Sequence, residues 1–158
     1  MDTQSIIIGA VILALCILPL AAGHISKKKK DNKIINALRK FASLHSCGIS
    51  VYDIWLNSII GADENRRAVF FIKAQEGRQE GRTETMQHLW LEDVLECRVQ
   101  VKRNGTAIEK IDLVISRKDT TEVRLEFYNV KTSIQLGDEL QLAHKWETFI
   151  RQGILQKA

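Results

Sequence analysis

The feature that most constrains this chain of 158 residues is an apolar run that extends from Ile6 to Ile25. Roughly 20 apolar residues in an α-helix match a hydrocarbon core of about 30 Å, so the run predicts a transmembrane helix within residues 1–26. We expect the anchoring side chains to be the aliphatic residues Ile6, Ile7, Ile8, Val11, Ile12, Leu13, Leu15, Ile17, Leu18 and Leu20.

The charges beside the apolar run predict its orientation. Met1–Ser5 contains no Lys or Arg, whereas Lys27–Lys30 follows the run directly. Excess Lys and Arg stay on the cytoplasmic side, which predicts a single-pass protein of the inner membrane with its N-terminus outside and its C-terminal domain in the cytoplasm. A signal peptide would carry its positive charge before the apolar core. Ala21-Ala22-Gly23 nevertheless has the small residues of a cleavage site, so cleavage is an alternative.

The basic residues are concentrated beside the predicted anchor. Residues 27–47 hold seven basic residues and one acid, whereas residues 48–158 carry a net charge of −1. This distribution favours contact with anionic headgroups, at about 1 kcal/mol per lysine near the surface. It argues against nucleic acid, which binds a basic face of a folded domain. A topology signal alone is an equally good interpretation of this basic cluster, which comprises Lys27, Lys28, Lys29, Lys30, Lys33, Arg39 and Lys40.

An amphipathic helix is predicted within the basic juxtamembrane segment, residues 27–48. Residues 31–47 repeat apolar side chains at spacings of three and four, with Asp31 as a possible N-cap and Gly48 as a possible stop. The helix could pack on the domain that follows, pair with a second copy, or lie on the membrane. Its apolar face consists of Ile34, Ile35, Leu38, Phe41, Ala42 and His45.

From residue 50 the apolar period changes to two, which predicts β-strands. A loop centred on Gly105 would set Val99 opposite Ile111, and it would keep apolar side chains on one face. A second turn, centred on Asp119, would extend the same face into a third strand and form an antiparallel meander. The predicted pairs are Val99 with Ile111, Cys97 with Leu113, Leu95 with Ile115, Ile115 with Val123 and Leu113 with Leu125.

Further strands bring the predicted total to about seven, and a helix closes the chain. Asp138 and Gln141 have the spacing of a capping box at the start of that helix. Leu140, Ala143, Trp146 and Ile150 form its core face, with Ile154 one turn further on. The additional strands are predicted at Ile54–Gly61, Arg67–Lys73, His88–Leu91 and Val130–Gln135.

Seven antiparallel strands followed by a helix with a central Trp resemble a pleckstrin-homology-like (PH-like) domain. In that family the helix covers an open end of a sandwich or barrel, and its Trp packs into the core. The layout of the chain also resembles bacterial single-pass membrane proteins that carry such a domain. The resemblance implies an α+β, mainly β fold, with an anchor at residues 1–26, a basic helix at 27–48 and a PH-like domain at 49–158.

The residues give little support for catalysis, metal binding or a cofactor. His45 and Cys47 form the only close His/Cys pair, and the cysteines at 16, 47 and 97 are typical of small buried side chains. In the turn Asp63–Arg67 the acids offset the arginines, which argues against an inositol-phosphate cradle. Trp55 and Trp90 lie within strand patterns, which favours core positions over an exposed binding surface.

We therefore expect a non-catalytic interaction module rather than an enzyme. The leading hypothesis is a membrane-anchored scaffold that docks a protein partner at the cytoplasmic face of the inner membrane, in a groove between a sheet edge and the closing helix. The alternative is a lipid sensor that grips anionic headgroups through the basic cluster. The identity of the partner and the oligomeric state are not predicted.

Overall fold

The computed structural model describes residues 27–74, 84–133 and 135–156. The predicted anchor at residues 1–26 lies outside the described residues, as do residues 75–83. The chain divides into two compact units, Met1–Ala37 and Leu38–Ala158. In the part of the first unit that is described, residues 27–37 are helical and Lys27–Lys30 are exposed. No helix of the described residues is both long and apolar enough to span a membrane.

Helix α1 comprises residues 27–44, which corrects both predicted boundaries. Asp31 is not an N-cap, because the lysines before it are already helical. The helix ends before Gly48, with Ser46 in the left-handed conformation at φ 58°. The backbone N–H of Ser46 donates to Ser43 O and that of Cys47 to Ala42 O, both at 3.0 Å. This is a Schellman ending, in which Ser46 takes the position that glycine usually occupies.

Seven antiparallel strands form two sheets, and one long helix follows them, which confirms the α+β class. Sheet A has the order β1-β2-β3-β4 and sheet B the order β5-β6-β7. The two sheets are not closed into a barrel, because the described strands show no pairing between them. A 3₁₀ turn, Leu91–Asp93, connects them. The strands are β1 (Val51–Trp55), β2 (Ser58–Asp63), β3 (Ala68–Ala74), β4 (Glu84–Trp90), β5 (Val94–Asn104), β6 (Ala107–Arg117) and β7 (Glu122–Asn129).

The number of strands matches the prediction, but two assignments were wrong. The strand predicted at Ile54–Gly61 is a hairpin, in which β1 and β2 pair Trp55 with Ser58 around a two-residue turn. Leu56 adopts a positive φ of 48° in that turn, and the neighbouring Asn57 is its one turn-forming residue. The strand predicted at Val130–Gln135 is absent from its described residues, 130–133 and 135, which form turns and irregular structure.

The meander of sheet B was predicted correctly at its second turn and wrongly at its first. Leu113 pairs with Leu125 and Ile115 with Val123, as expected. Cys97 instead pairs with Ile115, and Val99 with Leu113, two residues away from the predicted register. The loop is short, with Asn104 opposite Ala107, and an extra residue in β6, Glu109, restores the common face. An even shift keeps Cys97 and Val99 on their predicted face.

Helix α2 (Glu139–Leu155) packs mainly on the inner face of sheet B, and its apolar side chains belong to the core that both sheets share. Ala143, Trp146 and Ile150 are buried, while Leu140 and Ile154 are half-buried against the same core. Asp138 occupies the N-cap position but makes no side-chain capping bond. The indole of Trp55 stacks on Phe127, and its Nε1 donates to Phe127 O at 2.8 Å. Sheet A and sheet B are therefore joined by side chains rather than by a strand ladder.

The outer face of sheet A is covered by the end of α1. The ring of Phe41 contacts Phe70 edge-on, with their centroids 5.6 Å apart. A Cβ at Gly61 would lie 2.8 Å from Leu38 Cδ2, so glycine is what permits this close approach of helix and strand. His45 stacks on His88 of β4 at 4.0 Å. Residues 38–45 thus form a third layer over the sheet.

Candidate functional site

The groove between the β5 edge and α2 is the candidate docking site. In the described part of the chain β5 pairs with β6 on one side only. On its other side, the outward carbonyl of Cys97 accepts a hydrogen bond at 2.8 Å from Nε of Arg151 in α2. A second nitrogen of that guanidinium lies 3.1 Å from the carboxylate of Glu147. A side chain, rather than a strand, therefore satisfies this part of the β5 edge.

One apolar side chain is exposed on each of the two elements that flank this contact, β5 and α2. Leu95 lies at a bulge where Val94 pairs with Arg117 and Glu96 with Ser116, so it has no partner in β6. It is 66% exposed, which corrects its predicted place in the apolar row of β5. Leu155, at the end of α2, is 71% exposed. Exposed leucines beside an unpaired strand edge are the features that strand addition uses.

The side chain of Cys97 lies in the core and is not a reactive thiol. Cys97 is fully buried, and burial, together with the neighbouring carboxylate of Glu147, raises the pKa of its thiol to about 12. A thiol with such a pKa stays protonated at neutral pH, and the thiolate is the nucleophilic form. Cys97 therefore fits the interpretation of a small buried side chain.

Asp53 of β1 holds the middle of α2, a contact that was not predicted from the sequence. Its Oδ2 accepts hydrogen bonds from the indole Nε1 of Trp146 at 2.9 Å and from Nζ of Lys145 at 2.6 Å. A buried indole N–H needs an acceptor, and an acid within an otherwise apolar strand is the signal that could have pointed to it. The wall that α2 contributes to the groove is thus anchored to sheet A.

The two tryptophans predicted for the core differ in burial. Trp55 is buried and joins the two sheets, whereas Trp90 at the end of β4 is only half-buried. Trp90 lines a cleft of about 210 Å³ together with Arg66, Arg67 and Glu92. Exposure of these tryptophans would be the sign of a binding surface, and Trp90 is partly exposed.

Asp63 has a structural role in the turn that precedes β3. Its Oδ2 accepts the N–H of Gly48 at 2.7 Å, and its Oδ1 accepts that of Arg66 at 2.9 Å. Burial acts to raise the pKa of this carboxyl, but these backbone donors hold it below its ordinary value. Both carboxylate oxygens are therefore engaged by the backbone, and the nearby charge of Arg66 also acts to lower the pKa of Asp63.

The His and Cys residues near the end of α1 belong to a packed cluster. His45 contacts Phe41, Phe70 and His88, and Cys47 is buried. Among the residues that the structure describes, no group of three or more His, Cys, Asp or Glu side chains could hold a metal ion.

The seven side chains of the basic cluster are all exposed, and all of them belong to α1. They are available to an anionic surface.

The chain matches no protein-family model, no curated protein and no solved structure.

Proposed function

We propose that the chain is a membrane-anchored scaffold whose PH-like domain docks a protein partner at the cytoplasmic face of the inner membrane. The apolar run of residues 6–25 would hold it there as a single-pass anchor, with the basic cluster on the cytoplasmic side. Two consecutive sheets of four and three strands, followed by a helix with a buried Trp, support the PH-like assignment.

The observation that carries the docking function is the Arg151–Cys97 hydrogen bond at the β5 edge. A partner strand that pairs with β5 would take over the Cys97 carbonyl and release Arg151. Main-chain hydrogen bonds would then supply affinity, and pockets for alternate side chains would supply specificity. The exposed side chains of Leu95 and Leu155 would be covered by the same partner.

The test is affinity purification of the full-length tagged chain from gently solubilised native membranes. We expect a stoichiometric protein partner that is lost when Leu95 and Leu155 are both replaced by Arg. The matched control is Val130→Arg, which alters an apolar side chain that is 51% exposed outside the groove. The control and a variant with Lys27–Lys30 changed to Gln should both retain the partner. A partner that survives the double substitution would exclude the groove, and the absence of any protein partner would exclude the scaffold.

A second candidate function is the sensing of anionic lipid, favoured by the exposure of the whole basic cluster on one helix. At about 1 kcal/mol per lysine, four substitutions to Gln should weaken such binding by more than a hundredfold at low salt. The measurement is the amount of phosphatidylglycerol that copurifies with the full-length chain from mixed micelles, at low and high salt. If the wild type and the Gln variant retained equal amounts of phosphatidylglycerol, lipid sensing by the lysines would be excluded and they would serve as a topology signal only.

A further inference from the structure

The outer edge of β4 lacks the features that usually protect an exposed strand. Of the strands that the structure describes, only β3 pairs with β4, and their ladder runs without a bulge from Ala68 opposite Trp90 to Ala74 opposite Glu84. Residues 85–90 contain no Lys, Arg, Asp, Glu or Pro. Natural sheets protect an edge with such residues or with a bulge, so this edge is suited to pairing with another strand.

A hydrogen bond beside the ladder shows which backbone groups of β4 face this edge. The N–H of Leu91 donates to Arg67 O at 2.9 Å, one position beyond the last pair between β3 and β4. Backbone groups alternate in direction along a strand, so the odd-numbered residues of β4 bond to β3 and the even-numbered residues face outward. Met86 and His88 therefore direct their N–H and C=O groups to the outer edge.

The strand is complementary to a second copy of itself. An antiparallel pair centred on Gln87 would match all seven residues of β4 with the same seven in reverse order. Met86 would then lie opposite His88 of the second copy, and their outward backbone groups would exchange hydrogen bonds on both sides of the two-fold axis. This register also keeps the side chains of the two copies on matching faces.

Gln87 lies at the centre of this register. Its Oε1 is buried and has no hydrogen-bond partner among the described groups, which costs free energy. In the paired strands the two Gln87 side chains would be directly opposed at a non-hydrogen-bonded position, where Cβ atoms are about 4.5–5.5 Å apart. Rotation of the terminal amides would let each Oε1 accept a hydrogen bond from Nε2 of the other copy.

Exposed apolar side chains lie beside the same edge. Met86 is exposed, and so is Leu44 near the end of α1. Phe41, one turn before Leu44, contacts the ring of His88 with centroids 6.2 Å apart, so this side of α1 is turned towards β4. In the pair of strands Met86 would be covered by His88 of the second copy.

The other edges of the two sheets do not fit this pairing. The midpoint of β1 is Asp53, so self-pairing would set two carboxylates opposite each other, which is destabilising. That carboxylate is already bonded to Lys145 and Trp146. In sheet B, Arg151 engages the β5 edge, and a bulge interrupts β7 at Phe127. The edge of β4 is therefore the one that a second copy fits.

We propose that the protein forms a two-fold symmetric dimer in which β4 pairs antiparallel with β4 of a second copy around Gln87. The pairing joins two four-stranded A sheets into one sheet of eight strands. Its axis is perpendicular to the sheet, so residues 38–45 of both copies lie on the same face. This symmetry suits two chains whose N-terminal segments enter one bilayer, as the proposed anchor requires.

The test is disulfide cross-linking of the full-length chain in native membranes, in a Cys16→Ser background because the other two cysteines are buried. Under oxidation by copper phenanthroline, we expect Gln87→Cys to yield a covalent dimer of two 18.0 kDa chains. Thr85→Cys is the register control. Two copies of residue 85 would lie about 14 Å apart along the paired strands, which a disulfide cannot span.

Met86→Lys tests the edge itself, because a lysine on an edge strand disfavours pairing with another strand. Added to Gln87→Cys, it should lower the yield of covalent dimer about tenfold, since the symmetric interface loses the Met86 contact twice. Tyr52→Lys on β1 is the matched control and should leave the yield unchanged, because Tyr52 is 40% exposed and Met86 is 44% exposed. Circular dichroism should show that both variants are folded.

Three outcomes would overturn the assignment: no covalent dimer from Gln87→Cys, equal cross-linking of Thr85→Cys, or an unaltered yield in folded Met86→Lys. The interface does not depend on the docking groove. Replacement of Leu95 and Leu155 by Arg should leave the Gln87→Cys cross-link at full yield, so failure of the groove and failure of the dimer are measured separately.

Discussion

The two sheets of this protein differ in how many of their faces are buried. All six residues of β2 are buried, and so are the first five of β3. In β5, from Cys97 to Lys102, buried or half-buried side chains alternate with exposed ones. Sheet A therefore lies between two apolar layers. Sheet B has one apolar face and one polar face, which meets solvent at β5 and is covered by polar side chains over residues 111–115 of β6.

The layers outside the sheets account for the difference. Residues 38–45 cover sheet A with Leu38, Phe41 and His45, so its outer face is itself a small core. The outer face of sheet B carries charged and polar side chains, such as Arg124, which contacts Glu122 at 2.6 Å and Gln100 at 2.7 Å. Replacement of a large side chain on the outer face by Ala should therefore lower the free energy of unfolding strongly in sheet A and very little in sheet B.

The largest effect is expected for Phe70→Ala on the outer face of sheet A. Phe70 is fully buried and its ring contacts Phe41, His45 and His88, so its removal leaves a cavity. The free energy of unfolding should fall by about 3–5 kcal/mol. Urea denaturation of the full-length chain, followed by circular dichroism, measures it.

Arg98→Ala is the matched substitution on the outer face of sheet B. The Arg98 side chain is 53% exposed and lies 3.8 Å from Glu122, so the change should stay within about 0.5 kcal/mol. Similar losses for the two variants would contradict the difference between the sheets.

The same difference explains which parts of the fold could be predicted. Alternation appears only where one face is buried, so the second register of sheet B, with Leu113 opposite Leu125, followed from the sequence. In sheet A the alternation is lost because both faces are buried. The hairpin between Trp55 and Ser58 was consequently taken for one strand, because Asn57 is the one turn-forming residue in the centre of its turn and Leu56, which takes the positive φ, is not one.

The candidate sites were less predictable than the fold, because they depend on contacts between distant segments. Arg151 and Cys97 are 54 residues apart, and Arg67 and Gly153 are 86 apart. Leu95 fits the apolar alternation of β5 in the sequence, and only the bulge turns it outward. The composition predicted that acids offset the arginines in the turn before β3. It did not predict that the Asp63 carboxylate accepts hydrogen bonds from the N–H groups of Gly48 and Arg66.

An intermediate effect is expected for Gly61→Ala, which adds bulk between sheet A and its outer layer. The new Cβ would lie 2.8 Å from Leu38 Cδ2 and 3.1 Å from Val51 O, and the second atom belongs to the backbone. Such overpacking should lower the free energy of unfolding by about 1–3 kcal/mol. The measurement is the midpoint of urea denaturation.

Gly48→Ala provides the control, since its added Cβ would have Asp63 Oδ2 as nearest neighbour at 4.0 Å. That variant should unfold close to the wild type. Wild-type stability of Gly61→Ala would mean that Leu38 of α1 is not tightly packed against Gly61. The outer face of sheet A would then be less closely covered than the contacts indicate.

The smallest effect is expected from a change of pH, which should alter the free energy of unfolding through His88 on the covered face of sheet A. Burial, the neighbouring His45 and the guanidinium of Arg117 in β6 hold the pKa of His88 below its ordinary value. The aromatic rings that face it come from α1, β3 and its own strand, in Phe41, Phe70 and Trp90.

Because the pKa of His88 is lowered in the folded protein, acid should destabilise the fold. Below the ordinary histidine pKa of about 6.5 the unfolded chain takes up a proton that folded His88 resists, so the free energy of unfolding should decrease as pH falls from 7.5 to 5.5. His88→Gln should reduce this pH dependence, whereas His144→Gln, on the exposed face of α2, should preserve it. If both variants kept the full dependence in urea denaturation across that range, proton uptake at the covered face of sheet A would not be its source.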